Sequence, residues 1–348
     1  MNSKYLNING RKIGPNFPPL VVVELGINHS GKIDLAKKLI DSAKNAGAEI
    51  IKHQTHIPDM EMSIEAKKIK PANANINIYD VIKKNSLNYN QEIKLMEYVK
   101  EKNLIFISTP FSREAAKQLN DLKVPAFKIG SGECNNLPLI DYICKFKKPI
   151  ILSTGMNDIK SIKKTVKIIE KNKVPYALMH CTNVYPTPPR LVRLNAIKEM
   201  KKHFPNSIIG LSDHTGNNYT SFAAVALGAS IIEKHYVDDK KKRKGPDISA
   251  SIDFDQLKDL IYGVREIFDA TPGSKKPLKE ELSTIKFAFA SVVATRNILK
   301  GEKFNKDNIW VKRPGTGDFN ANEYSKLLGK TAIRNIHYNT QLKNKDIK

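Results

Sequence analysis

The sequence predicts an α/β fold, a (β/α)8 TIM barrel followed by a small β-rich domain. Eight short apolar runs alternate with segments of helical apolar spacing, which indicates a parallel sheet. The runs are continuously apolar, as strands are when both faces of the sheet are covered. The length of 348 residues suits a barrel of about 250 residues and one small domain. Catalytic residues of such barrels lie at the carboxyl ends of the strands, so polar residues there are candidate site residues.

The elements follow in order along the chain. Ser112 and Asp158 are helix start signals, and Gly47 and Gly228 are stop signals. The predicted strands are Leu20–Leu25, Glu49–Lys52, Leu104–Ile107, Ala126–Ile129, Pro149–Leu152, Tyr176–His180, Ile208–Leu211 and Ser230–Ile232. The predicted helices are Leu35–Ala46, Gln91–Glu101, Ser112–Leu122, Leu137–Lys145, Asp158–Lys171, Asn195–His203, Tyr219–Leu227 and Asp255–Phe268.

One connection is unusually long. About fifty residues separate the second and third strands, whereas loops of 2–6 residues are usual between a strand and a helix. Its first part, from His56 to Tyr79, is weakly patterned. A lid or substrate-binding excursion and an insertion without a role are both open interpretations.

The chain is predicted to divide into a catalytic barrel domain at 1–270, a linker at 271–286 and a second domain at 287–348. The segment Ala270–Pro277 has the Pro, Gly and Lys content of an exposed boundary. The second domain is small enough to be marginally stable alone, so docking onto a partner surface would stabilise it. Its predicted strands are Ser291–Ala294, Ile309–Val311 and Thr331–Ile333.

Composition limits the class of protein. A hydrophobic fraction of 41% is typical of a globular chain, and no apolar run approaches the roughly 20 residues that span a bilayer. The first residues, Met1–Arg11, lack the apolar core of a signal peptide, and the three cysteines show no metal-type spacing. We therefore expect a cytoplasmic protein without a membrane partner. The formal charge of +23 comes from lysines scattered over all helices, so nucleic acid is not the predicted partner.

The first candidate constellation is a histidine pair. His214 and His235 follow the neighbouring seventh and eighth strands, so their imidazoles are expected to converge. Two histidines leave coordination positions for water and substrate, as a catalytic divalent metal requires, and they suit Mn²⁺, Zn²⁺, Co²⁺ or Fe²⁺. Glu233 or Asp213 is a candidate to orient a ring nitrogen. Two structural histidines are the alternative.

The second constellation is a set of anion-binding groups at the strand ends. Two lysines and several hydroxyls around one barrel mouth suit a phosphate together with a carboxylate. A Schiff-base lysine is the alternative. The set comprises Lys52, Thr109, Lys128, Ser131, Ser153 and Ser212.

The third constellation consists of carboxylates at the same rim. Glu24, Glu133 and Glu233 lie at or just after strand ends, and Asp247 lies in the loop after the eighth strand. A buried carboxylate is costly without partners, so each is either paired with a lysine or used as a general acid or base.

Ten segments of this chain together resemble the sialic acid (N-acetylneuraminate) synthase family, and they cover nearly its whole length. The carboxyl-terminal part looks like the antifreeze-like (SAF) domain of that family. The segments are Glu24–His29, Lys52–Thr55, Ser108–Phe111, Lys128–Asn135, Leu152–Met156, His180–Pro188, Gly210–Thr215, Glu233–His235, Phe287–Ser291 and Trp310–Gly315.

The resemblance implies condensation of phosphoenolpyruvate with N-acetylmannosamine, with release of phosphate by C–O cleavage. It implies that His214 and His235 bind Mn²⁺, or alternatively Mg²⁺ or Co²⁺, and that Glu24 or Glu233 handles protons. The residues implied for phosphoenolpyruvate are Lys52, Thr109, Lys128, Ser131, Ser153, Asn183 and Ser212. Those implied near the sugar are Gln54, Glu133, Tyr185, Asp247, Phe287 and Arg313.

The resemblance also implies a domain-swapped homodimer, in which Arg313 and Phe287 of one chain reach the barrel of the other. A basic run, Lys240–Lys244, is longer than the family pattern and could displace Asp247. The near alternative is a legionaminate or pseudaminate synthase, which would use a 2,4-diacetamido-6-deoxy hexose with the same chemistry. A Schiff-base aldolase ranks lower.

Overall fold

The structure is a computed structural model that describes residues 5–71 and 74–348. The chain divides into two compact units, with the boundary between Pro272 and Gly273. Among the described residues, no helix has both the length and the apolar character needed to cross a membrane.

In the described part of the first unit, eight parallel strands form a closed barrel, which confirms the predicted TIM barrel. Each strand pairs with its sequence neighbours, and the last strand pairs with the first to close the circle. The barrel strands are β3 (Leu20–Glu24), β4 (Ile50–Thr55), β5 (Ile105–Pro110), β6 (Phe127–Ile129), β7 (Ile150–Ser153), β8 (Tyr176–Cys181), β9 (Ile208–Asp213) and β10 (Ile231–His235).

Several barrel strands extend further than the sequence predicted. β4 continues to Thr55, β5 to Pro110 and β10 to His235, because polar residues there remain in the parallel ladder. The register pairs Glu233 with Ser212 and Lys234 with Asp213. Successive side chains of a strand point to opposite faces, so these two pairs lie on opposite sides of the barrel wall.

A hairpin precedes the barrel, and the sequence prediction did not include it. Strands β1 (Leu6–Ile8) and β2 (Arg11–Ile13) pair antiparallel through Asn9 and Gly10, both of which have positive φ. Their apolar side chains join the core inside the barrel, together with Leu20 and Ile231 at the amino ends of β3 and β10. Asn-Gly between apolar residues is a hairpin signal that sequence analysis overlooked.

Helices surround the barrel and cover the larger apolar core. Ser112 and Asp158 act as predicted N-caps, accepting hydrogen bonds from Ala115 N and Ser161 N. The helices of this unit are α1 (Ile33–Asn45), α2 (Pro58–Glu61), α3 (Ile78–Asn85), α4 (Tyr89–Glu101), α5 (Arg113–Asp121), α6 (Leu137–Cys144), α7 (Ile159–Lys171), α8 (Pro189–Val192), α9 (Asn195–His203), α10 (Tyr219–Ala226) and α11 (Phe254–Ala270).

The weakly patterned connection after β4 therefore contains two helices, α2 and α3. We call residues 56–88 the insertion. Asn77 caps α3 by accepting a hydrogen bond from Asp80 N, a local signal that helical apolar spacing does not reveal. Residues 72–73 of the insertion lie outside the described part.

The second unit has a small β-rich core of its own. Strands β11 (Ser291–Ala294) and β12 (Ile309–Lys312) pair antiparallel, and helices α12 (Leu282–Ala288) and α13 (Tyr324–Leu327) lie in the same unit. The prediction of a strand at Thr331–Ile333 is wrong: this segment makes isolated bridges through Thr331 and Ala332 and no regular ladder. Part of the predicted linker 271–286 lies within α12.

Candidate active site

A cavity of about 140 Å³ lies at the carboxyl ends of the barrel strands. It gathers the predicted histidines, both lysines and most predicted hydroxyls into one site. Its lining consists of Lys52, Gln54, Thr109, Phe111, Lys128, Gly130, Ser131, Gly132, Ser153, Cys181, Asn183, Tyr185, Ser212, His214, Glu233 and His235.

Two buried lysines and two buried carboxylates lie in contact at this cavity, and we call these four residues the inner charge ring. Glu24 is not in the cavity lining but contacts Lys52, which is. Lys52 Nζ is 2.5 Å from Glu24 Oε2 and 3.7 Å from Glu233 Oε1. Lys128 Nζ is 3.3 Å from Glu233 Oε1 and donates a hydrogen bond to Ser153 Oγ at 2.7 Å. Two cations therefore share one carboxylate, Glu233.

The environment separates the pKa values of these carboxylates. Burial raises the pKa of Glu24, although Lys52 opposes this effect. For Glu233 burial also favours the neutral form, but Lys128 and Lys52 outweigh it and lower the pKa. Burial opposes the charge on Lys52, yet Glu233 and Glu24 outweigh it and raise the pKa of that amine. Burial lowers the pKa of Lys128. Glu24 is therefore the better proton carrier of the two carboxylates, and Glu233 stays ionised.

Hydroxyl groups and one amide complete the anion-binding side of the cavity. Thr109 Oγ1 accepts a hydrogen bond from Lys52 Nζ at 3.3 Å, and Ser212 Oγ donates to Glu233 Oε1 at 3.2 Å. Ser131 Oγ accepts from the backbone N–H of Gly155 at 3.0 Å. A Cβ on Gly155 would collide with Asn183 Oδ1, so this glycine lets Ser131 and Asn183 approach the same backbone.

The histidine pair lies at the β9 and β10 side of the cavity. The ring centroids of His214 and His235 are 5.3 Å apart, and Tyr185 stacks on His214 at 4.1 Å. Since the carbonyl of Thr182 can only accept, His214 Nδ1 donates to it at 2.9 Å, which leaves Nε2 as the lone-pair nitrogen. His235 Nδ1 is 3.6 Å from Asp247 Oδ2.

These residues fit a divalent cation. Among the described residues, His235 Nδ1 and Glu233 Oε2 are buried polar atoms without a hydrogen-bond partner, which a cation or substrate would satisfy. The described residues contain no cluster of three or more protein ligands with metal-binding geometry. His214 and His235 would therefore hold the ion alone, with substrate and water completing its coordination.

The role suggested for Asp213 is not supported. Its carboxylate lies on the outer face of the barrel wall, where Lys234 Nζ is 3.2 Å from Oδ2. Thr220 and Ser221 donate to Oδ2 at 2.6 and 2.7 Å. The strand alternation that brings Ser212 into the cavity sends Asp213 outward. The carbonyl of Thr182 orients His214 instead.

Five further candidate residues are absent from the lining of this cavity. Glu24 and Asp247 contact lining residues, Lys52 and His235. The other three are Glu133, Phe287 and Arg313. Glu133 is half-buried, accepts a hydrogen bond from Asn136 Nδ2 at 2.6 Å, and lines a neighbouring cavity with Asp59 and Glu61. Phe287 and Arg313 belong to the second unit, where both are exposed. The sequence prediction missed Phe111 and Cys181, which line the cavity, and Gly155, whose requirement follows only from three-dimensional contacts.

The fold and the site define a (β/α)8-barrel protein with a charged cavity at the carboxyl ends of its strands, followed by a small β-rich unit. Residues 39–276 match the NeuB family, and residues 289–348 match the SAF domain. The chain belongs to the NeuB family, whose relatives are synthases of sialic-acid-type biosynthesis, and it is an enzyme of that kind.

Named relatives differ in the sugar acid that they make. The chain is 39% identical to N,N'-diacetyllegionaminic acid synthase of Campylobacter jejuni, over 91% of this chain and 96% of that protein. It is 31% identical to human N-acetylneuraminate-9-phosphate synthase, over 93% and 91%. The crystal structure of a sialic acid synthetase from Leptospira borgpetersenii superposes with a TM-score of 0.74 at 29% identity, covering 81% of this chain and 95% of that one.

Proposed function

We propose that this enzyme condenses phosphoenolpyruvate with N-acetylmannosamine and water to give N-acetylneuraminate and phosphate. The observation that carries the proposal is the arrangement of the cavity. Lys52 and Lys128 lie with hydroxyl groups on one side, and His214 and His235 lie on the other. This arrangement suits an anionic enol phosphate on one side and a carbonyl compound on the other.

The anion-binding residues would hold phosphoenolpyruvate by its two charged groups. The lysines neutralise phosphate and carboxylate and stabilise the departing phosphate, which gains charge as its C–O bond breaks. Hydroxyls and an amide would fix the orientation of the same anion. These residues are Thr109, Ser131, Ser153, Asn183 and Ser212.

His214 and His235 would hold a divalent cation, with Mn²⁺ as the first choice. When bound, such an ion supplies Lewis-acid polarisation of the sugar aldehyde. Tyr185 packs against both imidazoles and restricts their orientation. We expect EDTA to abolish activity and added Mn²⁺ to restore it, whereas a Schiff-base enzyme would survive EDTA and be trapped by borohydride with a pyruvate adduct.

Proton handling falls to Glu24. Attack of phosphoenolpyruvate C3 on the aldehyde requires a proton on the new hydroxyl, and water that adds at C2 must lose one. A buried carboxyl with a raised pKa takes and gives a proton more readily than Glu233, which stays ionised beside two lysines. Breaking the bond between C2 and the bridging oxygen sends that oxygen away with phosphate. With ¹⁸O in the bridging position, we expect the label in phosphate; label in the sugar acid would exclude C–O cleavage.

Gln54, Tyr185 and Asp247 would contact the sugar, and Glu133 would reach it from the neighbouring cavity that it lines. The remaining contacts would come from a second chain. We propose a domain-swapped homodimer in which Arg313 and Phe287 of the partner complete the site. Mixing an Arg313→Ala chain with a His235→Ala chain tests this, because one intact site forms in each heterodimer. Recovered activity is expected, and its absence would rule out shared sites.

A second candidate acceptor is a 2,4-diacetamido-6-deoxy hexose, which would make the enzyme a legionaminate or pseudaminate synthase. The observation that favours it is the 39% identity to a diacetyllegionaminic acid synthase, against 31% for the human enzyme. Phosphate release with each sugar in turn decides between the two. We expect kcat/KM for N-acetylmannosamine to exceed that for the diacetamido sugar; the reverse order would assign the second function.

A further inference from the structure

A chain of hydrogen bonds runs from the inner charge ring into the insertion. Glu24 Oε1 accepts from Gln54 Nε2 at 2.7 Å, and the Gln54 Oε1 is 3.1 Å from His56 Nε2. His56 Nδ1 then lies 3.0 and 3.1 Å from the two carboxylate oxygens of Glu61, at the end of α2. The side chains of His56 and Glu61 are only 4% and 6% exposed, so water does not readily replace these partners.

The direction of each hydrogen bond follows from the groups at its ends. Lys52 Nζ contacts Oε2 of Glu24, which leaves Oε1 to accept from the Gln54 amide. The Gln54 amide therefore turns its Nε2 toward Glu24 and its Oε1 toward His56. Because this Oε1 only accepts, His56 must donate from Nε2.

The other ring nitrogen of His56 faces the Glu61 carboxylate. The ring of His56 therefore bridges the Gln54 amide oxygen and the Glu61 carboxylate. Nearby His29 and His53 are neutral, because burial lowers the pKa of each to about 3. Glu92 on α4 is also neutral near pH 7, because burial raises its pKa to about 8. Glu61 is thus the acidic residue that contacts His56 directly.

The ring of His56 also supports the cavity wall. It stacks on Phe111 with a centroid distance of 4.2 Å and an interplanar angle of 11°. Phe111 and Gln54 both line the cavity, whereas His56 itself lies behind them. One side chain thus holds an amide and an aromatic ring of the site against the insertion.

We propose that His56 is a positioning residue that fixes the orientation of the Gln54 amide in the cavity and ties it to Glu61 of the insertion. The kinetic effect of this positioning role rests on the proposed function, in which Gln54 contacts the sugar. With His56 in place the amide N–H groups face Glu24 and the cavity. Without His56 the Gln54 amide is free to turn, and the sugar substrate loses an oriented hydrogen-bonding group.

The kinetic test compares His56→Phe with wild type in the full-length holoenzyme with Mn²⁺. Phenylalanine keeps the stacking on Phe111 but removes both hydrogen bonds. We expect KM for the sugar to rise about 10- to 100-fold, the effect of a lost charge-assisted hydrogen bond, while KM for phosphoenolpyruvate changes less than about twofold. His203→Phe, at an exposed histidine at the end of α9, is the control and should leave both unchanged. An equal rise in both KM values would overturn the proposal.

The spectroscopic test needs no substrate. ¹⁵N NMR of histidine-labelled wild-type protein at pH 7.0, with His56→Gln to assign the signal among eight histidines, should show a proton on Nε2 of His56. An Nε2 without a proton in wild type would overturn the proposal. If wild type releases no phosphate with either sugar, the proposed function fails, and this signature alone tests the hydrogen bond from His56 to Gln54.

Discussion

Buried lysines pair with carboxylates on both sides of the barrel wall, but the two sets differ in how completely their partners are satisfied. On the outer face, Asp213 accepts hydrogen bonds from Thr220, Ser221 and the backbone N–H of Thr215 and contacts one lysine, Lys234. Lys234 Nζ in turn donates to the carbonyl of Asn217 at 2.8 Å. We call this the outer pair.

The inner charge ring is less complete. Lys52 and Lys128 share Glu233, whose Oε2 has no hydrogen-bond partner in the described residues. A pair whose polar atoms all have hydrogen-bond partners would have to give up some of these contacts to bind a ligand. The inner charge ring has an unpartnered oxygen, so a ligand can add a contact there without breaking one. Lysine and carboxylate side chains thus serve stability on one face and binding on the other, and the adjacent residues Glu233 and Lys234 of β10 belong to the two different sets.

The largest effect expected from this comparison is on the outer pair. Asp213→Asn leaves Lys234 buried without its counter-ion, so the free energy of unfolding should fall by about 3–5 kcal/mol in urea titrations. The double variant Asp213→Asn/Lys234→Met removes both charges and should recover most of that loss. Asp121→Asn, in the exposed pair with Lys117, is the matched control, with a change of about 0.5 kcal/mol or less. A double variant no more stable than the single one would contradict the structural role.

The inner charge ring should respond in the opposite way. Lys128→Met removes one cation facing the enol phosphate, so kcat/KM for phosphoenolpyruvate should fall about 10²- to 10³-fold in phosphate-release assays. The free energy of unfolding should fall by only about 1 kcal/mol, because Lys52 still neutralises Glu233. Lys164→Met, on the exposed face of α7, should change neither quantity. A stability loss as large as that of Asp213→Asn would erase the distinction between the two faces.

The sequence carries the barrel and most of the site because both depend on local features. Continuous apolar runs identify the strands, and parallel strands bring Lys52, Lys128, His214 and His235 to one edge. Which residue of Ser212-Asp213 faces inward depends on register, and a strand buried on both faces gives no alternation from which to read it. This is why Asp213 was proposed as a site residue.

Contacts between side chains in unpatterned or distant segments could not be predicted from the sequence for a related reason. His56 and Glu61 lie in contact behind the cavity, yet the insertion has no periodic pattern from which their burial could be inferred. The need for glycine at position 155 also arises from a neighbour far along the chain, Asn183. The Asn9-Gly10 turn, by contrast, was a local signal and could have been predicted.

Glu92 of α4 is a buried carboxyl outside the barrel wall that has no lysine partner in the described part of the chain. It provides the test with the smallest expected effect. Burial raises the pKa of Glu92 from 4.5 to about 8, and His53, 3.5 Å away, stays neutral. The folded state therefore keeps this proton over a range where the unfolded chain loses it. The stabilisation is complete below about pH 4.5 and is lost as the pH rises to about 8, by about 1.4 kcal/mol per pH unit.

Glu92→Gln cannot ionise, and its amide oxygen can still accept the hydrogen bond that Gln118 donates at 2.7 Å. We expect its free energy of unfolding to decline less steeply than that of wild type between pH 5 and pH 8, by about 1 kcal/mol per unit. Urea titrations at pH 5, 6.5 and 8 measure the slope, with Glu97→Gln on the exposed face of α4 as the control. Parallel pH profiles for wild type and Glu92→Gln would show that Glu92 is ionised in the folded protein. A buried carboxylate outside the barrel wall would then be stable without a lysine. The argument that buried Asp213 and Lys234 need each other would lose its electrostatic basis.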